Sequence, residues 1–156
     1  MHILFVCTGN TCRSPMAEVL MRRALESRGH TSVTVGSAGT GAWEGGPASE
    51  GALLVGLENG LDVTGHRARL LTRDVVRSAD LILTMSAQHR ERAVALGAGD
   101  RAHVLGEYAG RPPGQTEVND PYGADLDSYR TTFRELDALV SVVAARIAAG
   151  RPGEQH

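Results

Sequence analysis

A short stretch near the N-terminus has the residue types and the spacing needed to attack a phosphate group. Residues 7–14 read Cys-Thr-Gly-Asn-Thr-Cys-Arg-Ser and directly follow an apolar run. The backbone of so short a loop can curl around a tetrahedral anion and point its N–H groups inward. Arg13 can hold two phosphate oxygens at once, and Cys7 is placed to attack the phosphorus. The stretch, here called the nucleophile loop, predicts these phosphate-binding residues: Thr8, Gly9, Asn10, Thr11, Cys12 and Ser14.

The chemistry of this loop requires a thiolate at Cys7, and a free cysteine is mostly thiol at neutral pH. The inward N–H groups, the start of a helix at Ser14 and the charge of Arg13 all favour the thiolate. We therefore expect the pKa of Cys7 to be lowered. Ser14 is also placed to donate a hydrogen bond to the sulfur. Gly9 and Asn10 tolerate the unusual backbone conformations of a tight loop.

The leaving atom needs a proton, and Asp120 is the candidate general acid. It precedes Pro121, which restricts the local backbone and presents the carboxyl group on a firm turn. In a second step the same group, now ionised, would activate a water molecule. An Asp-Pro pair alone often only begins a turn, so the assignment depends on the nucleophile loop. This chemistry requires no metal and no cofactor.

Several other polar and aromatic residues have more than one interpretation. Cys12 is a small apolar filler beneath the loop, or the partner of the nucleophile in a reversible disulfide. His66 is interpreted as a structural histidine that ties loops together. Trp43, in a glycine-rich loop, is either a core residue or a wall of the substrate site. Two tyrosines are expected to be ordinary surface or groove residues: Tyr122 and Tyr129.

Strands alternate with helices along the chain. Short apolar runs predict four strands, at residues 2–6, 33–35, 81–85 and 102–105. A first helix is expected to begin with Ser14 as N-cap and Pro15 at the first helical position, and to end at Gly29. Further helices are predicted at residues 48–58, 72–77, 87–96 and 127–149. The pattern predicts an α/β fold in three layers, with a four-stranded parallel sheet flanked by helices. The nucleophile loop follows strand 1, where open α/β sheets bind ligands.

Length and composition limit the class of protein. The 156 residues suit one catalytic domain over residues 1–150, followed by a short tail at 151–156. A net charge of -2 gives no reason to expect nucleic-acid binding. The absence of a long apolar run or a signal sequence predicts a cytoplasmic protein without membrane contact. Two cysteines are too few for a disulfide framework or a four-cysteine zinc site. We expect a monomer or weak dimer.

The chain resembles the low-molecular-weight protein tyrosine phosphatase family. Residues 7–15 match the N-terminal signature of that family, and Ser-Ala-Gly-Thr at 37–40, the strand at 79–85 and Asp-Pro-Tyr at 120–122 follow in its order and spacing. The resemblance implies a four-stranded parallel sheet, a phosphocysteine intermediate and Asp120 as general acid. It also implies a phosphorylated protein as substrate.

The resemblance further implies roles for residues around the loop. A hydrogen-bond network that braces the loop is expected from Asn10, Ser14, Ser37 and His66. Cys12 matches a second loop cysteine implicated in protecting the nucleophile from over-oxidation, which implies redox regulation. Trp43 and Tyr122 match positions that wall the substrate slot.

Thr11 is a departure from the usual tyrosine phosphatase pattern, which has an apolar residue at this position. Its hydroxyl suits a polar guanidinium, and residues 7–18 resemble the bacterial protein arginine phosphatase branch, which also has Thr here. Trp43, in contrast, suits a slot for a flat aromatic ring. Phosphotyrosine is the predicted substrate on family frequency, and phosphoarginine is the alternative.

Two further functions disagree with the residues present. Arsenate reductases with this fold relay a disulfide through a third cysteine far along the chain, and this sequence has none after Cys12. A non-catalytic phosphoprotein-binding module would be expected to have lost Cys7 or Asp120, and both are present.

Overall fold

Four parallel strands form the centre of the computed structural model, which describes residues 1–150. The strands are β1 (His2–Cys7), β2 (Thr34–Gly39), β3 (Leu81–Thr84) and β4 (Ala102–Val104). Their order in the sheet is β2-β1-β3-β4, so β1 lies between β2 and β3. The predicted fold class is confirmed. The predicted tail at 151–156 lies outside the described residues.

Helices cover both faces of the sheet. They are α1 (Arg13–Ser27), α2 (Glu50–Glu58), α3 (Arg73–Ser78), α4 (Ala87–Ala95), α5 (Leu105–Tyr108) and α6 (Leu126–Ala149), with a 3₁₀ turn at Gly99–Arg101. The four-residue α5 is not predicted from the sequence, because so short a helix shows no periodicity. Within residues 1–150, no helix combines the length and the apolar character that crossing a membrane requires.

Alternate residues of β1 belong to two separate cores. Ile3 and Phe5 pack in the core that contains α1 and α6. Leu4 and Val6 pack on the opposite face with α3 and α4. Because both faces are covered, β1 is apolar at every position from 3 to 6, as expected for a central parallel strand.

The start of α1 differs from the sequence prediction. The helix begins at Arg13, and the residue at its N-cap is Cys12, which makes no side-chain capping bond. Ser14 is not the N-cap, because its buried hydroxyl contacts Cys7 and Asn10 instead of a backbone N–H of the first turn. The prediction of Ser14 as N-cap was therefore wrong. A serine before a proline can cap a helix, but it can also form hydrogen bonds within a neighbouring loop.

Gly39, the last residue of β2, allows the sheet to approach the nucleophile loop. It pairs with Cys7 across the sheet. A Cβ atom at Gly39 would lie 2.4 Å from the Thr8 carbonyl oxygen and 2.9 Å from the Asn10 nitrogen. Both contacts are with backbone, which cannot move without displacing the loop. The glycine therefore fixes how closely β2 and the loop can pack.

We predict that Gly39→Ala destabilises the protein by about 1–3 kcal/mol, the usual cost of overpacking. The matched control is Gly41→Ala, where the nearest atom to a Cβ is 3.9 Å away. We expect the control to change the free energy of unfolding by less than about 0.5 kcal/mol. Urea unfolding of both variants measures the difference, and equal stabilities would contradict the prediction.

Candidate active site

A cavity of about 340 Å³ opens at the carboxyl end of β1, between β2 and β3. This is the crevice where parallel α/β sheets bind ligands. Predicted site residues from three separate regions of the chain line it: Cys7, Thr8, Gly9, Thr11, Cys12, Arg13, Trp43, Asp120 and Tyr122. Tertiary folding thus brings the nucleophile loop, the glycine-rich loop and the Asp-Pro turn together.

A buried hydrogen-bond relay lies beneath the cavity. The Ser14 Oγ is 2.8 Å from the Cys7 Sγ. The Asn10 Nδ2 donates to the same Ser14 Oγ at 2.8 Å. Because Ser14 already accepts this bond, its own proton is available to the sulfur. Asn10 and Ser14 are both fully buried, so the relay is protected from water.

Asn10 has a φ of 56°, the only positive φ of a non-glycine residue among residues 1–150. This left-handed conformation is unfavourable for most side chains, although Asn tolerates it better than others. Two contacts hold it in place. The Arg69 backbone N–H donates to Asn10 Oδ1 at 2.9 Å, and the His66 Nε2 donates to the Asn10 carbonyl oxygen at 2.6 Å.

The Ser37 hydroxyl bonds to a helix residue and not to the nucleophile loop. It donates to Glu18 Oε1 at 2.6 Å, and the Ser37 carbonyl oxygen accepts a bond from Arg69 Nε at 2.9 Å. Ser37 is connected to the loop through Arg69, because the Arg69 backbone N–H donates a hydrogen bond to Asn10. Arg69 was not singled out as a site residue, because no motif distinguishes it from the other arginines of the chain.

Arg13 connects the nucleophile loop to the Asp-Pro turn. Its side chain is buried, and Nη1 donates to the Val118 carbonyl oxygen at 3.0 Å. The Nη2 atom lies 3.5 Å from Asp120 Oδ2 in an ion pair. Among residues 1–150, Arg13 Nε is the one buried side-chain nitrogen or oxygen without a partner. An unsatisfied buried donor costs about 1–3 kcal/mol, a cost that a bound anion would remove.

The Asp120 side chain is half exposed at the mouth of the cavity, with a relative exposure of 47%. Its Oδ1 accepts the backbone N–H of Tyr122 at 3.0 Å, so the carboxylate is held by its own turn. Upstream, the Val118 N–H donates to the carbonyl oxygen of Met85, just beyond β3, at 3.0 Å. The turn that carries Asp120 is therefore attached to the same sheet that carries Cys7.

Burial raises the pKa of the Cys7 thiol, and the hydrogen bond with Ser14 and the charge of Arg13 oppose this effect without cancelling it. The expectation of a lowered pKa was therefore wrong. It counted the groups that favour the thiolate and omitted the cost of removing a charge from water. The Ser14 contact is consequently the largest single contribution that favours ionisation of Cys7.

Cys12 is buried beneath the loop, and both cysteines are free thiols. The Cys12 sulfur is 3.2 Å from Ser49 Oγ and 3.3 Å from Tyr129 Oη. Cys12 is also part of the buried apolar core, so its interpretation as a filler stays a prediction. Tyr129 is buried and lines a groove, which is one of the two positions expected for it. Burial and the contact with Cys12 raise the pKa of Tyr129 to about 12. Formation of a disulfide with Cys7 stays a prediction.

Two aromatic side chains stand exposed at the rim of the cavity. Trp43 is 88% exposed and Tyr122 is 70% exposed. The interpretation of Trp43 as a core residue was therefore wrong. Large exposed rings beside a cavity are unusual in a monomeric protein unless they contact a ligand or partner.

His89 supports the loop from the other side and was missed in the sequence. Its Nε2 lies 2.9 Å from Thr8 Oγ1, and its Nδ1 lies 2.9 Å from Ser86 Oγ. Ser86 Oγ accepts the His89 backbone N–H at 3.3 Å, so its own proton can go to Nδ1 and leave Nε2–H to donate to Thr8. Burial, together with the charge of Arg13, lowers the pKa of His89 to about 4. A single histidine in a helix gives no sequence signal for this contact.

A cysteine at the end of the first strand, an arginine beside it and a carboxylate at the cavity mouth define a cysteine-dependent phosphatase. A family model described as "Low molecular weight phosphotyrosine protein phosphatase" matches residues 2–152. The chain belongs to this family.

Comparison with known proteins supports this assignment over nearly the full length. The chain is 38% identical to the protein-arginine-phosphatase of Bacillus subtilis (strain 168), over 97% of this chain and 99% of the relative. It is 37% identical to the low molecular weight protein-tyrosine-phosphatase Wzb of Escherichia coli (strain K12), over 87% of this chain and 88% of the relative.

Solved structures give the same result. The fold matches a Cys-to-Ser mutant of YwlE arginine phosphatase with a phosphorylated active-site serine, with a TM-score of 0.88, 38% identity and coverage of 97% of this chain and 98% of that chain. It also matches Wzb from Escherichia coli K30 in complex with sulphate, with a TM-score of 0.83, 32% identity and coverage of 94% and 97%.

We predict that Ser14→Ala shifts the pH profile of Cys7 alkylation by iodoacetamide toward higher pH, because the variant removes the hydrogen bond that favours the thiolate. At neutral pH the rate is expected to fall about tenfold, since a hydrogen bond to a charged group contributes about 1.5–3 kcal/mol. Tandem mass spectrometry distinguishes Cys7 from Cys12. Ser27→Ala, at the far end of α1, is the control. An unchanged profile would show that Ser14 does not act on the sulfur.

A second prediction concerns the pH dependence of stability. The pKa of His89 is lowered from 6.5 to about 4 in the folded state, so an unfolded chain binds the proton first as the pH falls. The wild type should lose this part of its stability between pH 6.5 and 4. His89→Gln should be less stable at pH 7, and this deficit should narrow by pH 4, because Gln binds no proton in the unfolded state. Urea unfolding at several pH values measures the gap, and a constant gap refutes the prediction.

Proposed function

We propose that this protein hydrolyses phosphate esters of protein side chains through a phosphocysteine intermediate. Cys7 is the nucleophile, Arg13 holds the phosphate and Asp120 is the general acid and base. The observation that carries the proposal is that these three side chains line one cavity, with a buried and unpaired Arg13 Nε behind it. The loop residues from Thr8 to Cys12 and Ser14 supply the remaining phosphate contacts.

In the first step the Cys7 thiolate attacks the phosphorus and the bond from phosphorus to the leaving atom breaks. Asp120 donates its proton to that atom, which leaves as a neutral group. Negative charge on the phosphoryl oxygens is stabilised by Arg13 and by the loop N–H groups. Before the substrate binds, the ion pair between Arg13 and Asp120 keeps both side chains on the same side of the cavity.

In the second step Asp120 accepts a proton from water, the water oxygen attacks the phosphorus and the bond between sulfur and phosphorus breaks. Ser14 stabilises the departing thiolate through its hydrogen bond. The structural relative whose active-site serine is phosphorylated gives independent support for a covalent intermediate. We further propose a cytoplasmic location, because a thiol nucleophile requires reducing surroundings.

Phosphotyrosine is the proposed substrate. The exposed rings of Trp43 and Tyr122, on the rim of the cavity, support this proposal. Two rings beside the cavity mouth can stack on the phenyl group of a phosphotyrosine whose phosphate sits in the loop. Relatives named as tyrosine phosphatases share this chain's family.

Phosphoarginine is a second candidate, favoured by Thr11. This residue lines the cavity, so its hydroxyl is available to a guanidinium, whereas an aliphatic side chain would not be. The leaving atom would then be nitrogen, and Asp120 would protonate it in the same way. Two relatives named as protein-arginine-phosphatases support this candidate.

We predict that Asp120→Asn reduces kcat/KM about 10²–10³-fold for phenyl phosphate, whose leaving group needs a proton, and much less for p-nitrophenyl phosphate, because kcat/KM reports the step in which the leaving group departs. Rapid-quench experiments on the variant should trap the phosphocysteine, because hydrolysis also loses its base. Asp74→Asn, at an exposed aspartate in α3, is the matched control. Cys7→Ser is the control that should have no activity. Equal losses on both substrates would show that Asp120 acts through structure alone.

A final prediction separates the two substrates. Thr11→Ile should shift the ratio of kcat/KM toward phosphotyrosine peptides and away from phosphoarginine peptides by about tenfold or more, because an apolar group leaves the guanidinium unpaired. Thr31→Ile, the same substitution at an exposed threonine that does not line the cavity, is the control. An unchanged ratio would exclude Thr11 as the selecting residue.

A further inference from the structure

A second groove, with a volume of about 450 Å³, begins where the first cavity ends. Tyr122 lines both, so its exposed ring forms the boundary between them. The groove runs between α2 and the start of α6, and its lining includes Ser49, Glu50, Leu54 and Leu126. A molecule that leaves the nucleophile loop past Tyr122 therefore enters this groove.

The groove lies at a defined distance from the nucleophile loop. Its first residue, Ser49, is attached to the loop, since its backbone N–H donates to the Thr11 carbonyl oxygen at 2.8 Å and its hydroxyl contacts Cys12. Leu54 follows five residues later in α2, roughly 7–8 Å along the helix axis. An extended peptide advances about 3.3 Å per residue. An extended polypeptide therefore covers the separation between Ser49, beside the loop, and Leu54 with two or three residues.

The chemistry of the groove selects a type of side chain. Leu54 is 41% exposed although it is apolar, and Leu126 is only partly covered. Among the described residues that line the groove, Glu50 is the one that is charged at neutral pH, and it makes no ion pair. The groove therefore offers an apolar surface with a negative charge at one end.

We propose that this groove binds the polypeptide of the phosphoprotein substrate, two or three residues away from the phosphorylated side chain. An apolar residue of the substrate packs against Leu54 and Leu126. A basic residue next to it in the substrate is favoured because it faces Glu50. This inference rests on the proposed function, because it requires a phosphorylated protein residue in the first cavity. Two observations support a peptide as the bound molecule. Tyr122 lines both the cavity and the groove, and Glu50 gives the groove a negative charge.

Peptide kinetics test the proposal. Peptides carry the phosphorylated residue that the wild type hydrolyses faster, with Leu or Ser at the second and third positions on either side. We expect Leu at one of these positions to raise kcat/KM about tenfold in the wild type, the gain from burying one such side chain. An Arg beside that Leu should raise it further, and Glu50→Gln should remove only this second gain.

Leu54→Arg should abolish the preference for Leu. The matched control is Leu57→Arg, because Leu57 lies on the same helix, is 75% exposed and does not line the groove. Hydrolysis of p-nitrophenyl phosphate, which cannot reach the groove, should stay within about twofold in all variants. If Leu54→Arg also slows hydrolysis of this small substrate, Leu54→Ser is tested instead, and it too should lose the preference for Leu.

The outcomes separate the two proposals. A wild type that hydrolyses neither the peptides nor p-nitrophenyl phosphate overturns the proposed function itself. Intact hydrolysis of the small substrate without any preference for Leu overturns the groove alone, as does an equal loss of preference in Leu57→Arg. Sedimentation gives the last check: a dimer that Leu54→Arg dissociates, without a change in peptide preference, would assign the groove to a second copy of the chain.

Discussion

The buried hydrogen bond between Ser14 and Cys7 is the interaction on which the rest of the site depends. Burial alone would keep the cysteine protonated and unreactive, so the fold must supply a partner that favours the thiolate. Ser14 can serve because Asn10 donates to its oxygen and leaves its own proton available to a thiolate. Asn10 reaches this position only in a left-handed conformation, which the loop would not keep without external support.

Contacts from several elements of the fold hold the nucleophile loop in place. His66 and Arg69 hold Asn10 from the β2 side, His89 holds Thr8 from α4, and Gly39 leaves no room for the loop to move toward the sheet. Arg13 extends the same network to Val118 and Asp120. Contacts from distant parts of the chain therefore hold Cys7, Arg13 and Asp120 beside one cavity, and such preorganisation reduces the reorganisation that a reaction there would require.

The elements that position this unit were largely predictable. Apolar runs located all four strands, and the helix predicted at residues 72–77 begins within one residue of α3. Errors arose where one residue type serves two purposes. Ser14 was interpreted as a helix cap because serine before proline often is one, whereas its hydroxyl belongs to the loop. The pKa of Cys7 was misjudged because the cost of burial depends on surroundings that no local pattern reveals.

By itself the sequence determined the class of chemistry: a cysteine, five residues and an arginine after a strand leave few alternatives, because backbone geometry and phosphate size restrict such a loop. It also determined the parallel sheet, since strands alternating with helices pack in few ways. Only the tertiary structure decided what surrounds the sulfur. The contacts of His89, Arg69 and Tyr129, the exposure of Trp43 and the groove beside Tyr122 join segments far apart in the chain. Such contacts depend on how the helices and loops pack around the sheet, a property that local residue patterns do not contain.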